Sequence, residues 1–263
     1  MKRFLSVLIV LCLLFVAGKA FADTSKNAWK KIRVAVEGTY PPFSALTPAG
    51  KIEGFDIDIT YALGEAAGAE IKLIIQDWDG LIPGLLARKT DCIIASMSIT
   101  EERKQTVAFT DKYYQTPAAF VAKKGSIKNF SKDSVKGKTV GVQMATTHDQ
   151  YLTDTYGKDI TIKRYTSLED IYLDITSGRI DMFMADSIAS DVGFLSKPQG
   201  QGYEFVGPHM TNPKWFGEGI GIACRKGDMD LVNKLNAAIK KIRNDGTYDR
   251  IRKKYFDFDI YGD

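Results

Sequence analysis

Cys92-Ile93-Ile94-Ala95-Ser96-Met97-Ser98-Ile99-Thr100-Glu101-Glu102-Arg103 is the stretch on which the fold turns. It begins as an apolar run of strand length, passes through a hydroxyl-rich middle and ends in a charged helical turn. Ser98 stands three residues before Glu101, the spacing of a capping box, which predicts a helix start. A strand leading through such a loop into a helix gathers backbone amides and Ser hydroxyls at one place, with the positive end of the helix dipole behind them. That place suits an anion, and Arg103, a turn into the helix, is spaced to complete a planar clamp on a carboxylate. An ordinary cap beside a solvated Arg has the same spacing, so the surrounding chain has to decide.

Upstream, Ile32-Arg33-Val34-Ala35-Val36 reads as a first strand running into Glu37-Gly38-Thr39-Tyr40-Pro41-Pro42-Phe43. The paired prolines exclude helix and force a loop at the strand's C-terminal end, where open α/β sheets place their ligands. Phe55, Ile59, Leu63 and Ala66 follow at helical spacing until Gly68 stops the helix. Ile71 to Ile75 is a second strand, followed by Trp78-Asp79-Gly80 and a helix carrying Leu81, Leu85 and Leu86, with Pro83 in its first turn. Cys92 to Ala95 is the third strand. Three strand–loop–helix units in succession predict a parallel sheet with covered faces.

Downstream, Tyr113 to Ala122 reads as an extended crossover into a second lobe, where the pattern restarts. Thr139 to Gln143 is a strand, Met144-Ala145-Thr146-Thr147-His148 a loop entering a helix, and Ile160-Thr161-Ile162 another strand. Ser167 caps a helix ending at Gly178, and Ile180 to Ala185 is a strand ending at Asp186. A second crossover is expected near Phe205-Val206-Gly207-Pro208. Gly217 to Arg225 returns as a Gly-rich strand, which no helix follows directly, so it is not a dinucleotide fingerprint. Asp228 is placed to cap an amphipathic helix with Leu231, Leu235, Ala238 and Ile242, and Tyr248 to Phe256 is a last helix. The expected fold is therefore α/β with two lobes: 23–115 with 217–263, and 116–216. Two hinge crossovers join them, and a cleft lies between.

Residues 1–22 stand apart: Lys2 and Arg3 lead an apolar segment from Phe4 to Ala17, and Ala20-Phe21-Ala22 offers a cut before Asp23. This reads as a secretory signal peptide, too short for a membrane anchor. Its removal takes Lys2, Arg3 and Lys19 and no acid, so the formal charge falls from +4 to +1 and the basic balance gives no argument for nucleic acid. Cys12 lies inside the apolar segment, out of context for lipidation. Cys92 and Cys224 are compatible with a bridge or with buried free thiols. Two Cys and two His far apart give no metal-ligand spacing, and no cofactor is expected.

The runs Gly54-Phe55-Asp56-Ile57-Asp58, Leu81-Ile82-Pro83, Ser96 to Arg103, Phe109-Thr110-Asp111 and Gly246-Thr247-Tyr248 resemble polar amino-acid-binding proteins of ABC importers. The resemblance covers essentially the whole mature chain and implies the two-lobed type II periplasmic-binding-protein fold. The ending Tyr255-Phe256-Asp257-Phe258-Asp259-Ile260-Tyr261-Gly262 is similar to lysine/arginine/ornithine- and histidine-binding proteins. Glu37, and Gly141-Val142-Gln143 through Thr146-Thr147-His148, look more like arginine-specific binders. The resemblance implies that Arg103 pairs with a ligand α-carboxylate, helped by the Ser98 and Thr147 amides and by Thr146. Asp186 and the region of Ser96 and Met97 would take the α-ammonium. Tyr40 and Trp78 would sandwich the ligand side chain, while Glu37 and Gln143 hold its distal cation. Ala95 in place of Ser, Glu37 in place of Asp, and Trp78 and Gln143 depart from the lysine/arginine/ornithine pattern and bear on ligand ranking. The implied partners are a basic L-amino acid and a membrane permease with its ATPase subunits. The chain would act as a periplasmic monomer.

Elementary chemistry weighs these positions separately. A zwitterion needs opposite charges at fixed separation, which Arg103 and Asp186 supply from different lobes, although Asp186 also fits a plain helix cap before Ser187. Tyr40 beside its prolines fits core packing as well, whereas Trp78 between Asp77 and Asp79 is an unnatural core position. A carboxylate at Glu37 repels acidic ligands and favours a guanidinium, which bonds bidentately and stacks flat, unless it is simply a surface Glu. His148 and His209 read as structural, the Asn129-Phe130-Ser131 glycosylation match as chance, and Arg250 to Lys254 as a solvated face. Two rivals remain open. One is a cyclic-acid dehydratase on the same fold, which needs an acid or base at the cleft centre. The other is a sensor subunit, disfavoured because the chain runs to Asp263 with no membrane or kinase segment, unless a separate partner protein carries the signal.

Overall fold

The structure is a computed structural model and describes residues 29–262. The expected signal peptide, Cys12 and the cut before Asp23 lie outside the described residues. Branched aliphatic runs form the strands as the sequence suggests: β1 (Lys31–Val36), β5 (Glu70–Ile75), β9 (Thr139–Gln143) and β11 (Met182–Asp186) are each read within two residues of their ends. Between β1 and β5 lies a small antiparallel sheet that the sequence did not disclose. It comprises β2 (Thr39–Tyr40), β3 (Ser44–Leu46) and β4 (Ile52–Glu53), built from the Pro-Pro loop folding back on itself.

The first lobe is a five-stranded sheet in the order β5-β1-β6-β13-β7, with β6 at Cys92–Ile93, β7 at Val107–Phe109 and β13 at Ala223–Arg225. β1 pairs in parallel with β5 and β6, but the returning β13 runs antiparallel to both neighbours, so the sheet is mixed rather than wholly parallel. The second lobe repeats the plan as β10-β9-β11-β8-β12, with β8 at Ala118–Lys123, β10 at Thr161–Tyr165 and β12 at Tyr203–Met210. Phe205 to Pro208, expected to cross back, instead lies in β12. There Phe205 and Val206 pair with β8 before a bulge, because β8 needs an antiparallel partner on its open edge.

Helix α1 (Phe55–Ala67) buries Phe55, Ile59 and Leu63 and ends at Gly68 in the left-handed conformation, as its spacing predicts. Its start is tied to the Pro-Pro loop: Phe55 N–H donates to Pro42 O and Asp56 N–H to Phe43 O, both at 2.9 Å. Gly54 makes this approach possible, since its φ is 137° and an added Cβ would lie 2.3 Å from Phe43 O. Helix α2 (Leu81–Leu86) carries Pro83 in its first turn, and α3 (Glu101–Lys104) is a single turn. In the second lobe α4 (Lys132–Val135), α5 (Thr147–Tyr156), α6 (Leu168–Thr176), α7 (Ser187–Ser190) and α8 (Pro213–Phe216) follow in order. Helices α9 (Met229–Asn244) and α10 (Thr247–Arg252) then pack on α1, closing the first lobe. Asp228 precedes α9 without capping it; its carboxylate pairs with Arg225 Nε at 2.6 Å instead.

An aromatic cluster fixes the first lobe's strand ends. Phe43 stacks on Tyr114 with ring centroids 5.0 Å apart, Phe55 meets Tyr114, Tyr248 and Phe256 edge-on, and Tyr248 Oη–H donates to Tyr113 O at 2.6 Å. Burying one such ring is worth about 1.5–3 kcal/mol. The cluster thus anchors the Tyr113–Tyr114 segment from which the chain leaves for the second lobe. Cys92 and Cys224 face each other across β6 and β13 as buried free thiols.

Candidate functional site

Most sequence-derived candidates sit at or beyond the C-terminal end of a strand, with Arg103 carried by α3, and most converge on one gap between the lobes. Glu37 follows β1 and is only 4% exposed. Its Oε1 accepts from Gln143 Nε2 of the other lobe at 2.7 Å and from Thr39 Oγ1 at 3.2 Å. Burial pushes the Glu37 carboxyl up to about 7, against the opposing pull of those hydrogen bonds. Gln143 closes β9 and also donates from Nε2 to Thr166 O at 3.0 Å, while its Oε1 can still accept, having no donor among the described residues. Tyr40 in β2 and Trp78 at the start of a 3₁₀ turn are both largely buried. Trp78 Nε1–H reaches across to Ala145 O of the second lobe at 3.1 Å.

Arg103 lies at the other end of the gap. Nη1–H donates to Ser98 O at 3.0 Å and Nη2–H to Ala145 O at 3.5 Å, and the guanidinium sits 5.3 Å from the Trp78 ring centroid. Desolvation between the lobes lowers Arg103 to about 10, so it stays a cation at neutral pH. The turn that carries it is not capped by Ser98. Thr100 is the cap, its Oγ1 accepting from Arg103 N–H at 3.2 Å, and Ser98 instead bridges to Ile220 as an added strand contact. One turn carries little dipole, so the longer α5 is the stronger source of positive potential here. Its cap, Thr146, accepts from Asp149 N–H at 3.1 Å and donates to Gln143 O at 2.7 Å, which presents Thr147 as the first helical residue. His148, read from sequence as structural, also lines the gap. Burial, and then the neighbouring Arg103, lower it to about 4, so it is neutral at pH 7.

Ser96 and Ser98 line the gap together with Ala95. Ser96 adopts a left-handed φ of 53°, held by a residue whose role the sequence did not disclose: Asp56, 0% exposed. Ser96 N–H and Oγ–H donate to Asp56 Oδ2 at 2.9 and 3.1 Å, and Tyr113 Oη–H donates to Asp56 Oδ1 at 2.9 Å. The signal was present as the Gly54-Phe55-Asp56 run, but the contact spans 40 residues and is made only by folding. Two candidates do not line the gap. Met97 packs into the core with Trp78, Leu81 and Leu85, and its carbonyl accepts from Gly221 N–H. Asp186, at the end of β11, caps α7: Oδ1 accepts from Ile188 and Ala189 N–H at 2.8 and 2.9 Å, and Oδ2 bonds Thr116 Oγ1. It is still close enough for its charge to act on Tyr40 and Asp56, and burial raises it to about 6.

The gap between Glu37 and Arg103 is narrow, about 20 Å³. It adjoins a wider groove of about 620 Å³ that shares Arg103, Thr146 and Thr147 and continues past Glu102, Asp149 and Trp215. Two α/β lobes meeting at their strand ends around such a gap define the type II periplasmic-binding-protein fold. The chain belongs to the bacterial extracellular solute-binding proteins, family 3, whose sequence profile matches residues 32–258.

Among curated relatives, it is 47% identical over 234 residues to an L-arginine-binding protein of Pseudomonas aeruginosa, covering 89% of this chain and 90% of the relative. It is 37% identical over 264 residues to the lysine/arginine/ornithine-binding periplasmic protein of Escherichia coli, covering both chains fully. Among solved structures, it matches a Salmonella typhimurium periplasmic binding protein described for high arginine specificity. That match has a TM-score of 0.80 and 32% identity, over 86% of this chain and 99% of that one.

Proposed function

We propose that the protein is a periplasmic receptor for a basic L-amino acid, arginine favoured over lysine, ornithine and histidine, that delivers its ligand to an ABC permease with its ATPase subunits. The observation that carries this reading is the charge balance around the cleft. Glu37, Asp56 and Asp186 are buried carboxylates for which no Lys or Arg partner exists among the described residues, while Arg103 meets carbonyl oxygens and the Trp78 ring but pairs with no carboxylate among them. Arginine brings one carboxylate for Arg103 and two cationic groups for the three acids, of which Asp56 and Asp186 share one. Its carboxylate meets Arg103 and the start of α5, its ammonium lies toward Ser96 and Asp186, and its guanidinium meets Glu37 and the free Oε1 of Gln143. Tyr40 and Trp78 enclose the stem between them. A buried carboxylate left unpaired penalises apolar and acidic ligands.

In this reading the lobes, 23–115 with 217–263 and 116–216, part about the crossovers to admit the ligand through the wider groove and close once both lobes bond to it. The names of the two curated relatives given above, both amino-acid-binding proteins, support binding rather than turnover. A dissociation constant of about micromolar or tighter corresponds to roughly −8 kcal/mol or more. Calorimetric titration of ligand-stripped protein with each standard amino acid is the test. Arginine is expected to bind tightest, and binding of glutamate or leucine without a response to arginine refutes the proposal.

A further inference from the structure

A carboxylate wholly out of water normally has a cation beside it, because leaving the charge uncompensated is costly. Asp56 has none among the described residues. It is surrounded by hydroxyls and one amide: Tyr113 Oη–H on Oδ1, and Ser96 N–H with Ser96 Oγ–H on Oδ2. These bonds do something specific to Ser96. They hold a non-glycine residue in a left-handed backbone conformation that it would otherwise avoid. They also occupy its hydroxyl hydrogen. Tyr114 Oη–H donates to the same Ser96 Oγ at 2.6 Å, so one lone pair is taken and one remains. Ser96 lines the interlobe gap, and the remaining acceptor belongs to a hydroxyl polarised by a buried negative group. Asp186 acts on Asp56 as a like charge, so a cation placed beside Ser96 would be attracted by both acids.

We propose that Asp56 is a positioning residue for the ligand α-ammonium, acting through the Ser96 hydroxyl, and that it shares with Asp186 the task of balancing that charge. This rests on reading the cleft as an amino-acid site. It adds that ammonium recognition depends on a carboxylate that never touches the ligand. Burial raises the Asp56 carboxyl to about 7, which agrees with a group whose counter-charge comes from outside the chain.

The test compares L-arginine with 5-guanidinopentanoate, the same molecule without its α-amino group, by calorimetry on the mature protein and the variants Asp56→Asn and Ser96→Ala. Asp56→Asn is expected to weaken arginine on the order of tenfold or more while leaving the deaminated analogue nearly unaffected, since the Ser96 hydroxyl loses its negative partner and its hold on the ammonium weakens for one ligand only. Ser96→Ala, which removes the hydroxyl but keeps the backbone bond to Asp56, is expected to show the same selective loss. It answers the question if Asp56→Asn fails to fold. Equal weakening of both ligands would make Asp56 a structural brace and overturn the proposal, as would arginine affinity unchanged in both variants. Failure of the unmodified protein to bind arginine would instead overturn the amino-acid reading itself.

Discussion

Arg103 and Glu37 answer to different parts of a ligand, so their removal should separate. Arg103→Ala is expected to weaken every amino acid by at least about a hundredfold, because it strips the one cation facing a carboxylate. Glu37→Ala should weaken arginine and lysine by about tenfold or more and spare neutral ligands. Equilibrium titration of both variants against arginine and glutamine checks the pair. The raised carboxyls carry a pH consequence. Glu37 and Asp56 at about 7 and Asp186 at about 6 hold protons that the unfolded chain has released. The native state therefore binds more protons than the unfolded state between about pH 4 and 7, and these groups make the ligand-free protein less stable as pH rises through that window. Arginine needs the ionised forms, so its binding near pH 6.5 should release protons. Calorimetry in buffers of different ionisation enthalpy measures this, and the stabilisation by arginine should grow toward pH 8. The residues that meet around the gap were legible because most stand after a strand end beside a turn signal, and Arg103 a turn into the helix that follows. Asp56 was not, because its side chain is defined by Ser96 and Tyr113, which only the folded chain brings to it.

At the scale of elements, the strand order of each lobe follows from runs of branched residues, but termini depended on competition that the sequence leaves open. Ser98 and Thr100 both precede acidic residues. Thr100 became the cap because Ser98 is drawn into a bridge with Ile220. Likewise Phe205 to Pro208 carried turn residues, yet pairing with β8 outweighed them, and the chain leaves the second sheet only after Met210. Two elements invite tests. Thr146→Ala removes the cap of α5 and should cost about 1 kcal/mol in denaturant unfolding, while also loosening the Gln143–Thr147 corner and weakening ligands. Gly54→Ala drives a Cβ toward Phe43 O and should destabilise the first lobe by about 3 kcal/mol or more, read from the same unfolding curves.

At the scale of the whole molecule, the lobes touch directly through Gln143 with Glu37, Trp78 with Ala145 O, and Arg103 with Ala145 O. Such contacts set how far the arrangement favours closure before any ligand contributes. Trp78→Phe keeps the ring and removes the indole donor, at roughly 1 kcal/mol. It should raise the radius of gyration of the ligand-free protein in small-angle scattering and lower arginine affinity by a few-fold through that equilibrium. An unchanged radius with lowered affinity would place the effect in ligand contact instead. The two-lobed plan itself was legible from the restart of the strand–helix pattern after the extended crossover ending at Ala122.

The facing thiols of Cys92 and Cys224 give the protein an internal clock. Seated in the middle of the first sheet with no route to solvent, they should meet an alkylating reagent only when that sheet comes apart, not when the lobes swing. The rate of labelling in excess reagent then times global opening of one lobe alone. A slower rate with arginine present would show how much the cargo retards it.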